Sequence, residues 1–218
     1  GKMKPELLRI KQCGSDLFGV DREGMTFRLR EGQWEEIGHL KFDLDFHYWA
    51  GSFWTIYQRR LYRDGKPLLE DLLSYPVRVK GEGERLWLLD QEKGTLYGWD
   101  ERMSLISSLG SDGLAELEGD GETAFSSPID FDICGDNVIV ADTGNRRVVS
   151  LEGKKKRSFP LLARKVRFFD EQRAALLFGQ NLTLLSLPQE KAETTVLENL
   201  LDFEIFPSLS GKVVYLTR

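Results

Sequence analysis

The chain has 218 residues, long enough to bury a core of its own, and carries 30 Lys and Arg against 35 Asp and Glu for a net charge of −5. That acidic balance disfavours nucleic acid as a partner, because neutralising phosphates needs a basic face. No run of 18 apolar residues occurs, so no membrane-spanning helix is expected.

In chain order the sequence resolves into units of short apolar strands separated by Gly, Asp and Asn, residues that tolerate turn dihedrals. The first unit, 5–40, begins at Leu8, passes Cys13-Gly14 and Asp21, and ends in an outer strand around Gln33–Ile37. The second, 41–73, sets Leu44 and Phe46 before Phe53-Trp54, then Leu61 and Tyr62, with Pro67–Leu72 as its outer strand. The third, 74–125, begins at Val77, carries Asp90 and Leu96, and reaches an outer strand around Ser104–Leu109. It then runs into an acidic, Gly-rich insertion, where 114–117 has room for a helical turn.

The fourth unit, 126–163, is the clearest. Ile129–Ile133, Val138–Ala141 and Arg147–Leu151 read as strands, Gly135-Asp136-Asn137 and Asp142–Asn145 as turns, and Arg157–Leu162 as an outer strand. In the fifth, 164–200, Val166 and Phe168 precede Ala175–Leu177, Leu182, Leu184 and Thr194–Leu197. The sixth, 201–218, has Phe203 and Ile205 before Val213–Tyr215 and room for two strands only.

Two of these units superpose on the fourth without gaps. Residues 8–32 fall on 129–153, with Cys13 on Cys134 and Asp21 on Asp142; residues 76–101 fall on 128–153, with Pro76 on Pro128 and Asp90 on Asp142. The first inward residues, Leu8, Leu44, Val77, Ile129, Val166 and Phe203, are 36, 33, 52, 37 and 37 apart. Such a period predicts an all-β fold, a six-bladed β-propeller with an incomplete last blade, forming a single domain over 1–218. A β-sandwich is the alternative, but it gives no reason for the repeat. The open edge of the last blade invites strand addition, hence an edge-mediated homodimer or pairing with the N-terminal residues.

Asp142-Thr143-Gly144-Asn145-Arg146-Arg147-Val148, with Gly119-Asp120-Gly121, Ala124-Phe125 and Pro128 ahead of it, resembles an NHL repeat over about residues 110–153. The resemblance implies a propeller, usually of six blades, that binds partners, and it implies that Asp142 and Arg147 pair across the turn. A few relatives are enzymes, including a zinc-dependent amidating lyase. His39 and His47, the two histidines, lie close together in sequence with no Cys beside them and do not assemble such a zinc site. The acidic run Asp112, Glu116, Glu118, Asp120 and Glu122 has half the spacing of a calcium loop, but Ser127 stands where a bidentate acid belongs. No metal site and no cofactor are therefore expected. Lys154–Arg157 reads as a solvated hairpin.

The residue after each first inward residue is charged: Arg9, Asp45, Arg78, Asp130, Arg167 and Glu204, with alternating sign. Innermost strands would bring these side chains together near the axis as a salt-bridge ring, or as a polar channel mouth that binds a small zwitterion or a peptide end. Surface contacts are expected from Tyr48 and Trp49 in a turn, and from Arg59, Arg60 and Arg146 beside the insertion residues Asp112 and Glu116. The function expected is a non-enzymatic propeller binding a protein or small molecule. A metal-dependent propeller hydrolase or lyase acting at the channel is the alternative. Cys13 and Cys134, in opposite blades, are expected as free thiols. The chain opens Gly1-Lys2 rather than with Met, which reads as a trimmed start and predicts an extracytoplasmic location; a cytoplasmic one is the alternative.

Overall fold

The computed structural model describes residues 4–110, 125–206 and 211–218. The structured residues are almost entirely strand. The first sheet is β1 (Leu7–Cys13), β2 (Asp16–Asp21), β3 (Met25–Arg30) and β4 (Gln33–His39). The second is β5 (Asp45–Trp49), β6 (Ser52–Tyr57), β7 (Arg60–Arg63) and β8 (Lys66–Leu68). β9 (Pro76–Glu82), β10 (Arg85–Asp90), β11 (Thr95–Trp99) and β12 (Leu105–Gly110) make the third. The fourth holds β13 (Asp130–Cys134), β14 (Asn137–Asp142), β15 (Arg147–Glu152) and β16 (Lys155–Phe159). The fifth holds β17 (Lys165–Asp170), β18 (Arg173–Phe178), β19 (Asn181–Ser186) and β20 (Lys191–Val196). A last pair, β21 (Leu200–Phe206) and β22 (Lys212–Thr217), forms a two-stranded sheet.

Each four-stranded sheet is an antiparallel meander in chain order. The first strands of successive sheets meet in sequence, β1 with β5, β5 with β9, β9 with β13, β13 with β17 and β17 with β21, and β21 returns to β1. Sheets set radially around an axis with their first strands innermost form a propeller. Five blades are complete, not six; the sixth expected unit is the two-stranded sheet.

Six apolar clusters fill the spaces between neighbouring sheets. Phe18 and Phe46 lie between the first and second, Trp54 and Trp99 between the second and third, and Leu89 and Phe131 between the third and fourth. Ile139 and Phe168 follow, then Leu177 and Phe203, and finally Ile10 and Phe206 between the last sheet and the first. Large rings suit this geometry because a gap between radial sheets widens outward. Gly81 shows how tightly the wedges close: a Cβ there would meet the Trp49 ring at 2.0 Å.

Three local expectations change. Tyr48 and Trp49 end β5, and the turn is Ala50-Gly51. Lys155–Arg157 belong to β16 rather than to a hairpin turn. Leu8 is 45% exposed, while Leu7 and Ile10 of the same strand are buried. The helical turn expected at 114–117 lies outside the described residues.

Candidate functional site

The inner strands carry short polar–apolar–polar triplets, all but one of whose polar residues are charged. In the first, third and fifth sheets these are Arg9-Ile10-Lys11, Arg78-Val79-Lys80 and Lys165-Val166-Arg167. In the other three they are Asp45-Phe46-His47, Asp130-Phe131-Asp132 and Asp202-Phe203-Glu204. Residues two apart on a strand share a face, so each triplet sends both polar side chains the same way and its apolar residue into the opposite seam.

The acidic strands use this to solve a backbone problem. An innermost strand has a ladder partner on one side only, so its channel-side N–H groups need another acceptor. Asp45 Oδ2 accepts from the Val79 N–H at 2.9 Å, Asp130 Oδ2 from Val166 at 2.9 Å, and Asp132 Oδ2 from Phe168 at 2.8 Å. Asp202 Oδ2 accepts from Ile10 at 2.9 Å and ties the last sheet to the first.

At the other seams cations reach forward to the same acids. In the tier nearer the strand starts, Arg9 meets Asp45 at 3.3 Å, Arg78 meets Asp130 at 3.5 Å and Lys165 meets Asp202 at 2.7 Å. One tier deeper, Lys80 pairs with Asp132, and Arg167 with Glu204 at 3.1 Å. The tiers are cross-linked by Lys11–Asp45 at 3.0 Å, Arg167–Asp130 at 3.0 Å and Lys165–Glu204 at 2.6 Å.

All six expected channel residues lie in this network, but two stand one tier deeper than the alternation assumed. The amide contacts make Lys165 and Asp202 the equivalents of Arg78 and Asp130, and put Arg167 and Glu204 level with Lys80 and Asp132. Glu204 does not return to Arg9; Lys165 and Arg167 hold it, and Asp202 closes the ring. A slip of two residues keeps every side chain on its face, so apolar patterning alone does not reveal it. The residues missed were Lys11, His47, Lys80, Asp132, Lys165 and Asp202. The triplets themselves were the available signal.

Charge is locked in place. Burial opposes ionisation of Asp45, yet Lys11, Arg78, Arg9 and the Val79 amide outweigh it and hold this carboxyl well below the usual range. Glu204 is likewise buried, but Arg167 and Lys165 bring its pKa down to about 2. Arg167 is held charged against its burial by Glu204 and Asp130. Burial, then Lys11 and Lys80, push His47 well below its ordinary value and keep it neutral, with Nε2 3.1 Å from the Gly81 carbonyl. Its Nδ1 lies 3.6 Å from Cys13 Sγ, and burial raises that thiol to about 12. This is a neutral pair in a core, without an available thiolate. Both cysteines are free.

The two ends of the channel differ. At the strand starts, a pocket of about 240 Å³ is bounded by Arg9, Arg78, Arg164 and Lys165 with Asp45, Asp130 and Asp202. Near the strand ends, Glu82 lies beside Lys80 and Asp132; burial first, opposed by Lys80, raises its pKa to about 7. Its Oε2 is buried with no hydrogen-bond partner among the described residues.

The surface candidates are dispersed. Tyr48 packs against Phe53 and Phe18, and Trp49 donates through Nε1 to the Gly83 carbonyl at 2.9 Å. Arg59 stacks on Tyr75, pairs with Glu92 and borders a depression shared with Phe125 and Ser126. Arg60 meets Glu70 at 3.6 Å, and Arg146 stands exposed at φ 53° just after the turn at Thr143–Asn145. Asp112 and Glu116 lie outside the described residues. Asp142 accepts from Ser126 N–H, Asn145 and Arg147, the last at 2.7 Å; Asp90 accepts from Ser74, Tyr75 and Lys93 at the same place in its blade. Among the described residues, no three His, Cys, Asp or Glu side chains are grouped to hold a metal, and no helix is long and apolar enough to cross a membrane.

No family model matches the sequence, and no curated protein matches it. Solved structures do match. The WD40 β-propeller domain of Doa1 is 10% identical with a TM-score of 0.58, over 100% of this chain and 91% of that one. A chain of a nidogen/laminin complex is 10% identical with a TM-score of 0.60, over 95% and 82%. Virginiamycin B lyase from Staphylococcus aureus is 13% identical with a TM-score of 0.54, over 86% and 69%. At these identities the likeness concerns the fold alone, and it agrees with the radial sheets: the chain is an all-β propeller.

Proposed function

We propose that this chain is a non-enzymatic binding propeller of the NHL-like type, with β21 and β22 as an incomplete sixth blade, and that its recognition site is the channel mouth. One observation carries the reading: the charged groups of the triplets are committed to one another rather than poised for chemistry, and Glu82, the group raised to about 7, lies at the other end of the channel with its Oε2 buried. The Asp and Glu carboxylates of the triplets are ion-paired, and the Cys13–His47 pair is neutral. General acid–base work needs a group titrating near the working pH and reachable by substrate. A rigid, pre-paired rim instead offers fixed donors at low ordering cost. The Asp142–Arg147 turn supports the NHL-like assignment, and six filled seams support counting the two-stranded sheet as a blade.

The test is a thermal-shift screen with acidic, basic, neutral sugar-like and peptide compounds, each hit then mapped by hydrogen–deuterium exchange. The reading expects hits that slow exchange at 9–11, 44–46 and 77–79 and are recovered unchanged. Hits that protect only outer loops, or turnover of a bound compound, would overturn it.

A further inference from the structure

We propose that the channel mouth takes a small polyanion, a molecule bearing two or three carboxylate or phosphate groups, gripped by Arg9, Arg78 and Arg164. The proposal rests on the mouth being the recognition site and adds the chemistry of its ligand.

Charge at the mouth does not balance. Six of the side chains around the 240 Å³ pocket are cationic and three are anionic. The three acids are already engaged: Asp45, Asp130 and Asp202 each accept a backbone N–H from the next blade and hold at least one cation.

The arginines are engaged only in part: Arg9 and Arg78 each make one ion pair, with Asp45 at 3.3 Å and with Asp130 at 3.5 Å, and Arg78 Nη1 also donates to the Val77 carbonyl at 2.7 Å. Arg9 Nη1 and Arg78 Nη1 both donate to one acceptor, the Leu44 carbonyl, at 3.2 and 3.0 Å. Two guanidinium groups are thereby held together around a single neutral oxygen. Their side chains remain 31% and 28% exposed, so both are open to the pocket. Arg164 is exposed, and its side chain makes one hydrogen bond among the described residues, from Nη2 to the Leu201 carbonyl at 3.2 Å. Leu44 and Leu201 each directly precede the first acid of their triplet, so the arginines are hung on matching carbonyls of the ring.

Arg9 and Arg78 come from the first and third sheets and Arg164 directly precedes the fifth, three alternate positions around the axis. Like charges gathered this way repel, and an anion between them removes the repulsion while accepting from spare guanidinium N–H groups. A single carboxylate meets one or two of the three; several acidic groups on one small molecule reach all of them. The same arrangement repels a divalent cation.

Isothermal titration at low ionic strength tests this, with citrate, inorganic phosphate, acetate and calcium as probes. Citrate and phosphate should bind with one-to-one stoichiometry, and acetate about tenfold more weakly or less. Sodium chloride at about 0.1 M and above should weaken citrate binding. Arg164→Ala should cost about tenfold in citrate affinity, with thermal unfolding unchanged because Arg164 is exposed. Arg78→Lys, which keeps the charge and loses the planar fork, should weaken citrate more than phosphate. Calcium or a neutral compound protecting 44–46 and 77–79 while citrate does not would overturn the ligand class and leave the site standing. Citrate binding undiminished in both variants would overturn the three-arginine grip, and no binding of either anion would overturn the proposal outright.

Discussion

Asp202 and Ile10 stand 192 residues apart and are joined by one hydrogen bond, from the Ile10 N–H to Asp202 Oδ2 at 2.9 Å. Asp202 Oδ1 meanwhile accepts from Lys165 and from the Phe203 N–H. One carboxylate therefore links the fifth, sixth and first sheets. Val79 and Val166 are held the same way by Asp45 and Asp130, so closure uses the device that sets the other seams.

Arg78 separates the electrostatic from the steric contribution of this ring. Arg78→Ala removes a partly exposed ion pair and two carbonyl contacts, to Leu44 and Val77, and should cost about 1 kcal/mol. Arg78→Glu puts a third acid beside Asp45 and Asp130 and should cost about 3 kcal/mol or more. Urea unfolding monitored by tryptophan fluorescence would rank the two, and equal losses would mean that the ring charges do not feel one another.

Asp142→Ala strips the acceptor from the Ser126 N–H, Asn145 and Arg147 in a fully buried site. The expected loss is about 3 kcal/mol, read from the denaturant midpoint. Asp21→Ala, at the aligned position in the first blade, should cost about 1 kcal/mol, because Asp21 is half-exposed and, among the described residues, its carboxylate accepts from the Glu23 and Met25 N–H groups alone. Similar losses at the two sites would show that the turn in the fourth blade has no special weight.

Glu82 gives a pH dependence. Its pKa is higher in the folded chain, at about 7, than the ordinary 4.5. Folding therefore favours the protonated form. That contribution is complete below pH 4.5 and is lost as the pH rises through 7. Glu82→Gln keeps the shape and removes the charge, so it should raise stability at pH 8, by on the order of 2 kcal/mol, and change little at pH 4. Thermal unfolding at the two pH values reads this directly; a stabilisation equal at both would exclude a titrating Glu82.

These residues also show how far sequence carries. The Asp90 and Asp142 positions were legible because a turn is local: acceptor and donors lie within 16 residues of one another. The blades were legible because apolar alternation marks which residues are buried. Tier was not. Arg167 and Lys165 share a face, as do Glu204 and Asp202, and only contacts with a neighbouring blade distinguish them. The short last blade left another mark. Every residue of β20 is exposed, and Thr195 pairs with Leu182 where Phe159 pairs with Val148 one blade earlier. The fifth blade thus turns a polar outer strand toward the two-stranded sheet, which does not reach far enough to cover an apolar one.

The most direct test of closure is the exchange rate of the Ile10 amide, measured by NMR in the wild type and in Asp202→Ala. If Asp202 holds this amide, its exchange should quicken by at least about tenfold in the variant, with the Val79 and Val166 amides slowed as before. An Ile10 amide equally protected without Asp202, in a chain of unchanged stability, would contradict the carboxylate-closed ring.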